Sequence, residues 1–216
     1  MSTDTPTAPP PPPPRRLLIG GVLATTLMVL LLAAGLVVSR ASEPLPRLGA
    51  LPDFTFTREN GQPFGRAQLQ GRPWVANFIF TRCPTICPLF TQKMARVQQH
   101  TAGQGEALQL VSFSVDPDYD TPERLSAYAA KYGAQPARWS FLTGDYTRLK
   151  STVVEGFKVA MGRHNEDEQD ILGIFHGTHF VLVDASGEIR GYYNSDDEEA
   201  LERLLRDTER LVKRGE

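Results

Sequence analysis

The chain has 216 residues, is 41% hydrophobic and 22% charged, and carries a formal net charge of −2, a composition that suits one globular domain with extensions. So balanced a charge supplies no long-range pull toward nucleic acid or anionic lipid and argues against a nucleic-acid-binding protein. Its 2 cysteines fall in one short segment, so the chain is no disulfide-scaffolded mini-protein and the pair reads as a site.

Residues 1–16 form a Pro-rich tail whose proline run, Pro9 to Pro14, is expected to be extended and solvated. Arg15 and Arg16 introduce an uncharged run, Leu17 to Val38, which at about 22 residues is long enough to cross a hydrocarbon core of roughly 30 Å. Residues 17–38 are therefore expected to be a transmembrane helix. A cleaved signal peptide is the competing reading, because Ser39-Arg40-Ala41 loosely resembles a cleavage site; a signal h-region is shorter, about 7–15 residues. The Arg15-Arg16 pair favours a tail that stays inside, with the rest of the chain exported. Residues 39–50 read as a linker, and 51–213 as the exported domain.

In that domain the first strand pattern runs from Leu51 to Phe56. Pro73 to Phe80 is a compact apolar run, fitting a strand buried on both faces, and it delivers the cysteines to its C-terminal end. Leu89 to His100 lacks Gly and Pro and spaces Leu89, Met94 and Val97 as a helix does. A strand over Leu108 to Val115, a helix over Pro122 to Tyr132 with Thr121 as N-cap, a short strand over Trp139 to Leu142 and a helix over Asp145 to Phe157 follow. Asn165 to Asp170 is an acidic loop. His179 to Val183 and Ile189 to Tyr193 read as a hairpin, after which Ser195 is expected to cap a helix reaching Leu211. The pattern is α/β with a late antiparallel hairpin.

Cys83 and Cys87 form a CxxxC where a strand ends and a helix starts. Unpaired N–H groups and the helix dipole at such a place favour thiolate, the form that attacks disulfides and binds soft metals. Three readings stand: a static disulfide, which would close too short a loop to stabilise much, a dithiol redox couple, or a soft-metal site. Two thiolates alone make a poor closed site, so a third ligand matters. Of the four histidines, His100 and His164 read as surface residues. His176 and His179 stand just before a hydrophobic strand, and two thiolates with one imidazole suit Cu(I), whereas structural zinc takes four protein ligands.

The segments TRCPTICP, SVDPDYDTPERLSAYAAKYG, FLTGDY and HGTHFVLVDASGEIRGYY together resemble the SCO/SenC family of cytochrome c oxidase assembly proteins. The resemblance covers most of the chain from Leu51 to about Arg210. It implies a thioredoxin-like domain, a central mixed sheet flanked by helices, behind one transmembrane helix. It further implies a copper chaperone holding one Cu(I) or Cu(II), with ligands falling on Cys83, Cys87 and His176. The implied partner is a copper-accepting subunit of cytochrome c oxidase, whose binuclear copper centre is being assembled, or another copper chaperone. The implied location is a bacterial inner membrane, with the domain on the periplasmic side. Phe175 and Gly177 depart from the family, which commonly has an acidic residue before the ligand histidine and Ser or Thr after it. His179 reads as a surface-facing residue, with a second ligand or proton carrier as the alternative.

Two enzymes compete with this reading. A membrane-tethered thiol-disulfide oxidoreductase would use Cys83 and Cys87 as its redox pair, but its usual motif is CxxC, and Gly177 stands where a proline normally precedes the threonine. A peroxiredoxin needs a threonine three residues before its cysteine, and here that residue is Phe80.

Overall fold

A computed structural model of the chain describes residues 25–32, 44–84, 86–163 and 173–215. Two compact units are distinguished, Met1–Pro44 and Leu45–Glu216. In the first, residues 25–32 form helix α1, with exposed apolar side chains. The rest of the span expected to cross a membrane lies outside the described residues, as do the tail and residues 39–43. Among the described residues no helix is long and apolar enough to cross a membrane.

The second unit starts with short strands β1 (Gly49–Ala50), β2 (Thr55–Arg58) and β3 (Pro63–Gly65) and the single-turn helix α2 (Arg66–Leu69). Strand β4 (Trp74–Ile79) then leads through the CxxxC segment into helix α3 (Ile86–His100). Strand β5 (Gln109–Ser114), helix α4 (Pro122–Lys131), strand β6 (Trp139–Thr143) and helix α5 (Tyr146–Ser151) follow. After α5 come the short strands β7 (Met161–Arg163) and β8 (Ile174–His176), then β9 (His179–Val183), β10 (Glu188–Asn194) and helix α6 (Glu198–Arg214).

Eight strands form one mixed sheet in the order β1-β10-β9-β4-β5-β6-β2-β3. Strands β4, β5 and β6 are parallel, with Trp74 opposite Gln109 and Leu110 opposite Trp139. Strand β9 runs antiparallel to β4, with Trp74 opposite Val183. Every residue of β4 and β5 is buried, as the unbroken apolar run in β4 requires of a strand covered on both faces. Because side chains alternate along a strand, Trp74, Ala76 and Phe78 enter one core, with Phe113, Phe157 and both cysteines. Val75 and Ile79 enter the other, against Phe90 and Met94 of α3, Leu125 of α4 and Leu204 of α6.

Helix α3 begins at Ile86, beside the second cysteine as expected, so Cys87 and Pro88 lie inside its first turn; proline is tolerated there because first-turn N–H groups have no intrahelical partner. Two local expectations are corrected. The helix expected over Asp145 to Phe157 is α-helical only to Ser151 and continues as a π-turn over Thr152–Gly156. Helix α6 is capped by Asp197, whose carboxylate accepts from Glu199 N, and not by Ser195. Ser195 is buried and its N–H donates to Thr178 O instead. Thr121 caps α4 as expected, accepting from Arg124 N.

Candidate functional site: a dithiol facing a half-buried imidazole

Strand β4 ends at Ile79, and its continuation carries Thr81, Arg82 and Cys83 out of the sheet. The turn is held from below by Asp120. Its carboxylate accepts from the Thr81 N–H at 3.1 Å and from the Ser114 hydroxyl at 2.6 Å. Burial holds the Asp120 carboxyl above the ordinary range despite these hydrogen bonds. Cys83 N–H closes the turn on Phe80 O at 3.3 Å, and α3 then brings Cys87 into the protein, fully buried.

The imidazole arrives from a separate two-stranded ribbon. Strands β7 and β8 pair antiparallel outside the main sheet, with Met161 opposite His176 and Arg163 opposite Ile174. His176 Nε2 lies 3.4 Å from Cys87 Sγ, and its Nδ1 lies 3.1 Å from Gly177 O. A carbonyl oxygen only accepts, so Nδ1 carries the proton and Nε2 presents its lone pair to the Cys87 thiol. Burial pushes the His176 pKa below its ordinary value, against the hydrogen bond to Gly177 O, which raises it, so the ring is neutral at pH 7. The Phe80 ring meets it edge to face at 5.9 Å.

No disulfide joins Cys83 to Cys87. The expectation of a thiolate-favouring environment is overturned at Cys87. Burial pushes this thiol far above its ordinary pKa, a hydrogen bond to the Phe80 backbone opposes the shift only partly, and the neighbouring Cys83 thiol adds to it. Removal from water outweighs the helix start because a buried thiolate loses its hydration while the dipole supplies only a partial charge. A metal taken by this sulfur has to displace a proton.

Among the described residues no three His, Cys, Asp or Glu side chains are already gathered closely enough to cage a metal ion. The donor types present, two thiols and an imidazole with an available lone pair, suit a soft cation, whereas a hard cation needs oxygen ligands. His179 lies exposed at the start of β9, opposite Asn194. His100 is exposed and bonds Arg96 O through Nδ1, while His164 lies outside the described residues.

Sequence reasoning missed a set of charged groups beside the thiols. Asp116 is fully buried and accepts from Arg82 Nε at 2.6 Å and from an Arg163 terminal nitrogen at 2.7 Å. The same Arg163 nitrogen reaches Asp118 at 3.2 Å. The Arg82 guanidinium also lies 4.6 Å from the Tyr119 ring centre. The signal available was the DPDYD run after β5, whose acids cannot all be surface residues if Pro117 turns the chain back over the sheet.

A parallel β4-β5-β6 core completed by an antiparallel hairpin, with paired cysteines where the central strand hands over to a helix, defines a thioredoxin-like protein, here with a histidine brought onto the dithiol. The chain belongs to the SCO1/SenC family, whose family model matches residues 44–213. A Stutzerimonas stutzeri protein named for copper binding is 34% identical over 149 residues, which cover 68% of this chain and 71% of that protein. The crystal structure of a SCO1/SenC family lipoprotein from Bacillus anthracis is 36% identical with a TM-score of 0.69, covering 77% of this chain and 97% of that one. BsSco, described as a Sco family cytochrome c oxidase assembly protein with a disulfide switch, matches at 29% identity and a TM-score of 0.68, covering 79% and 98%.

Proposed function

We propose that this chain is a membrane-anchored copper chaperone that binds one copper ion through Cys83, Cys87 and His176 for the binuclear copper centre of cytochrome c oxidase. The observation that carries the reading is the Nε2 lone pair of a neutral, half-buried imidazole standing 3.4 Å from Cys87 Sγ. With Nδ1 protonated toward Gly177 O, Nε2 is free to accept from the Cys87 thiol, and a soft cation can take the place of that proton. The copper-binding relative from Stutzerimonas stutzeri and the oxidase-assembly role stated for BsSco supply the cargo and the destination. The acceptor is then a copper-accepting oxidase subunit or another copper chaperone. The apolar run 17–38 supplies the anchor and the lipoprotein relative the precedent for a membrane-attached member. The domain works on the periplasmic side of a bacterial inner membrane, where anchoring raises its concentration beside a membrane-embedded acceptor.

Copper entry expels the Cys87 proton and draws Cys83, which already interacts with Cys87, onto the same ion. Anaerobic titration of the chain with Cu(I) against a competing chelator tests this. One tight copper per chain is expected, weakened about 10-fold or more by His176→Ala and lost in Cys83→Ala and Cys87→Ala. Tight binding indifferent to all three would overturn the reading.

The second reading, a membrane-tethered thiol-disulfide oxidoreductase, is favoured by the direct interaction between the Cys83 and Cys87 thiols and by the disulfide switch described for BsSco. The two readings predict opposite behaviour of the oxidised protein. A Cys83–Cys87 disulfide removes both soft ligands, so a chaperone in that form holds no copper until reduced, and copper retained after full oxidation contradicts the dithiol site.

A further inference from the structure

The two halves of the site come from different parts of the fold. The cysteines follow the central strand, whereas His176 belongs to a ribbon of two three-residue strands that shares no ladder with the main sheet. So short a pair has little stability of its own; backbone bonds hold its ends, among them Ser195 N–H on Thr178 O at 3.1 Å, and side chains join it to the cysteine turn.

We propose that Asp116 is a positioning residue that fixes the histidine ribbon to the cysteine turn through Arg163 and Arg82; the inference rests on the three-ligand reading above. Each oxygen of this fully buried carboxylate holds one arginine: Oδ2 takes Arg82 Nε at 2.6 Å and Oδ1 takes Arg163 at 2.7 Å. Arg82 adjoins Cys83 in the chain. Arg163 stands in β7, two residues from Met161, the cross-strand partner of His176. One carboxylate thus ties the residue before the first thiol to the strand that carries the imidazole.

Asp116 is itself anchored, since its N–H donates to Ser114 Oγ at 3.1 Å and Ser114 donates to Asp120, which holds Thr81. Arg163 is steadied further by Asp118 at 3.2 Å and by the Tyr146 ring at 5.3 Å. Removing the charge of Asp116 leaves two guanidinium groups facing each other with little water to screen them. They move apart, and with them the turn and the ribbon. The thiols keep their own anchors in α3 and on Asp120, so the histidine is the ligand that drifts.

The test is a double-mutant cycle on the full chain in detergent, with Cu(I) affinity and the Cu(II) electron paramagnetic resonance spectrum as readouts. Asp116→Asn should weaken copper about 10-fold to 100-fold, yet change affinity little in a His176→Ala background, and it should erase nitrogen hyperfine splitting while sulfur coordination persists. Arg163→Met, which cuts only the ribbon arm, should reproduce both effects and covers the case in which Asp116→Asn does not fold. Equal losses with and without His176, or nitrogen splitting retained in both variants, would overturn the clamp. A metal-free readout separates this from the functional reading: the nuclear Overhauser contact between the Phe80 and His176 rings should weaken in either variant. Wild-type copper binding that ignores His176 sinks the three-ligand site, and an unchanged ring contact sinks the clamp.

Discussion

A β-carbon on Gly177 would stand 2.7 Å from Val159 Cγ1, too close for either side chain to keep its place. The same kind of pairing explains Phe175. Its ring covers Gly162 across the ribbon, where an added β-carbon would lie 2.6 Å from it. The two residues flanking His176 that depart from the family are therefore matched to partners on the segment leading into β7 and on β7 itself. Gly177→Ser should destabilise the domain by about 1–3 kcal/mol through overpacking, and Val159→Ala combined with it should recover part of that loss. Urea unfolding of the single and double variants checks this, and additive losses would show that the two positions do not share space. The departures were legible in the sequence, but their cause was not, because a contact across 18 positions leaves no local pattern. Cys83, Cys87 and His176 were legible as residue types because thiols and imidazoles are few in this chain. Asp116 was hidden, because the two buried acids of a five-residue run, Asp116 and Asp120, look in the sequence like the exposed Asp118 between them.

At the scale of elements, the clearest sequence signals were those with both faces buried. Strands β4 and β5 and the β9–β10 hairpin stand where their apolar runs put them. The ribbon that delivers His176 escaped notice because three-residue strands carry no measurable period, and the cap of α6 moved because Asn194 forms its own turn, accepting from Asp196 N through its side chain. The hairpin turn has a charge at its centre. Asp184 accepts from the N–H groups of Ser186 and Glu188, from the Ser186 hydroxyl and from Arg190 at 2.8 Å. Burial acts to raise its pKa, but these hydrogen bonds and the Arg190 guanidinium outweigh it and hold the carboxyl below the ordinary value. A carboxyl depressed in the native state adds stability that is complete above its unfolded pKa, about 3.9, and is lost as pH falls through the native value. Asp184→Asn should therefore flatten the acid limb of the stability profile below about pH 4. It should also cost about 3 kcal/mol at neutral pH by stranding the Arg190 charge. Urea midpoints of both proteins measured across that range decide the matter, and parallel acid limbs would refute the assignment.

The same arginine joins the hairpin to the beginning of the domain. Arg190 donates to Leu45 O at 2.6 Å and to Pro46 O at 2.9 Å, and Leu48 N–H pairs with Ile189 O at 2.9 Å. Residues 45–50, which look like spacer in the sequence because they are short of apolar alternation, are thus part of the folded unit, and the family match starting at residue 44 agrees. Strand β9 sets the direction. It runs from His179, three residues past the site histidine, to Val183 beside Trp74 at the far end of β4. The polypeptide enters at that far end, about 15–20 Å of strand away from the thiols. The placement makes the entry segment a determinant of stability and not of copper chemistry. A chain beginning at Pro44 should match the full-length domain, whereas one beginning at Leu48 loses both carbonyls that share the buried Arg190 charge. That loss should cost about 2 kcal/mol and lower the urea midpoint, while the copper stoichiometry and its dependence on His176 stay as they are. A shorter chain equally stable would show that water replaces Leu45 and Pro46 fully, and one that also lost the histidine contribution would mean that the two ends of the sheet are coupled through β9.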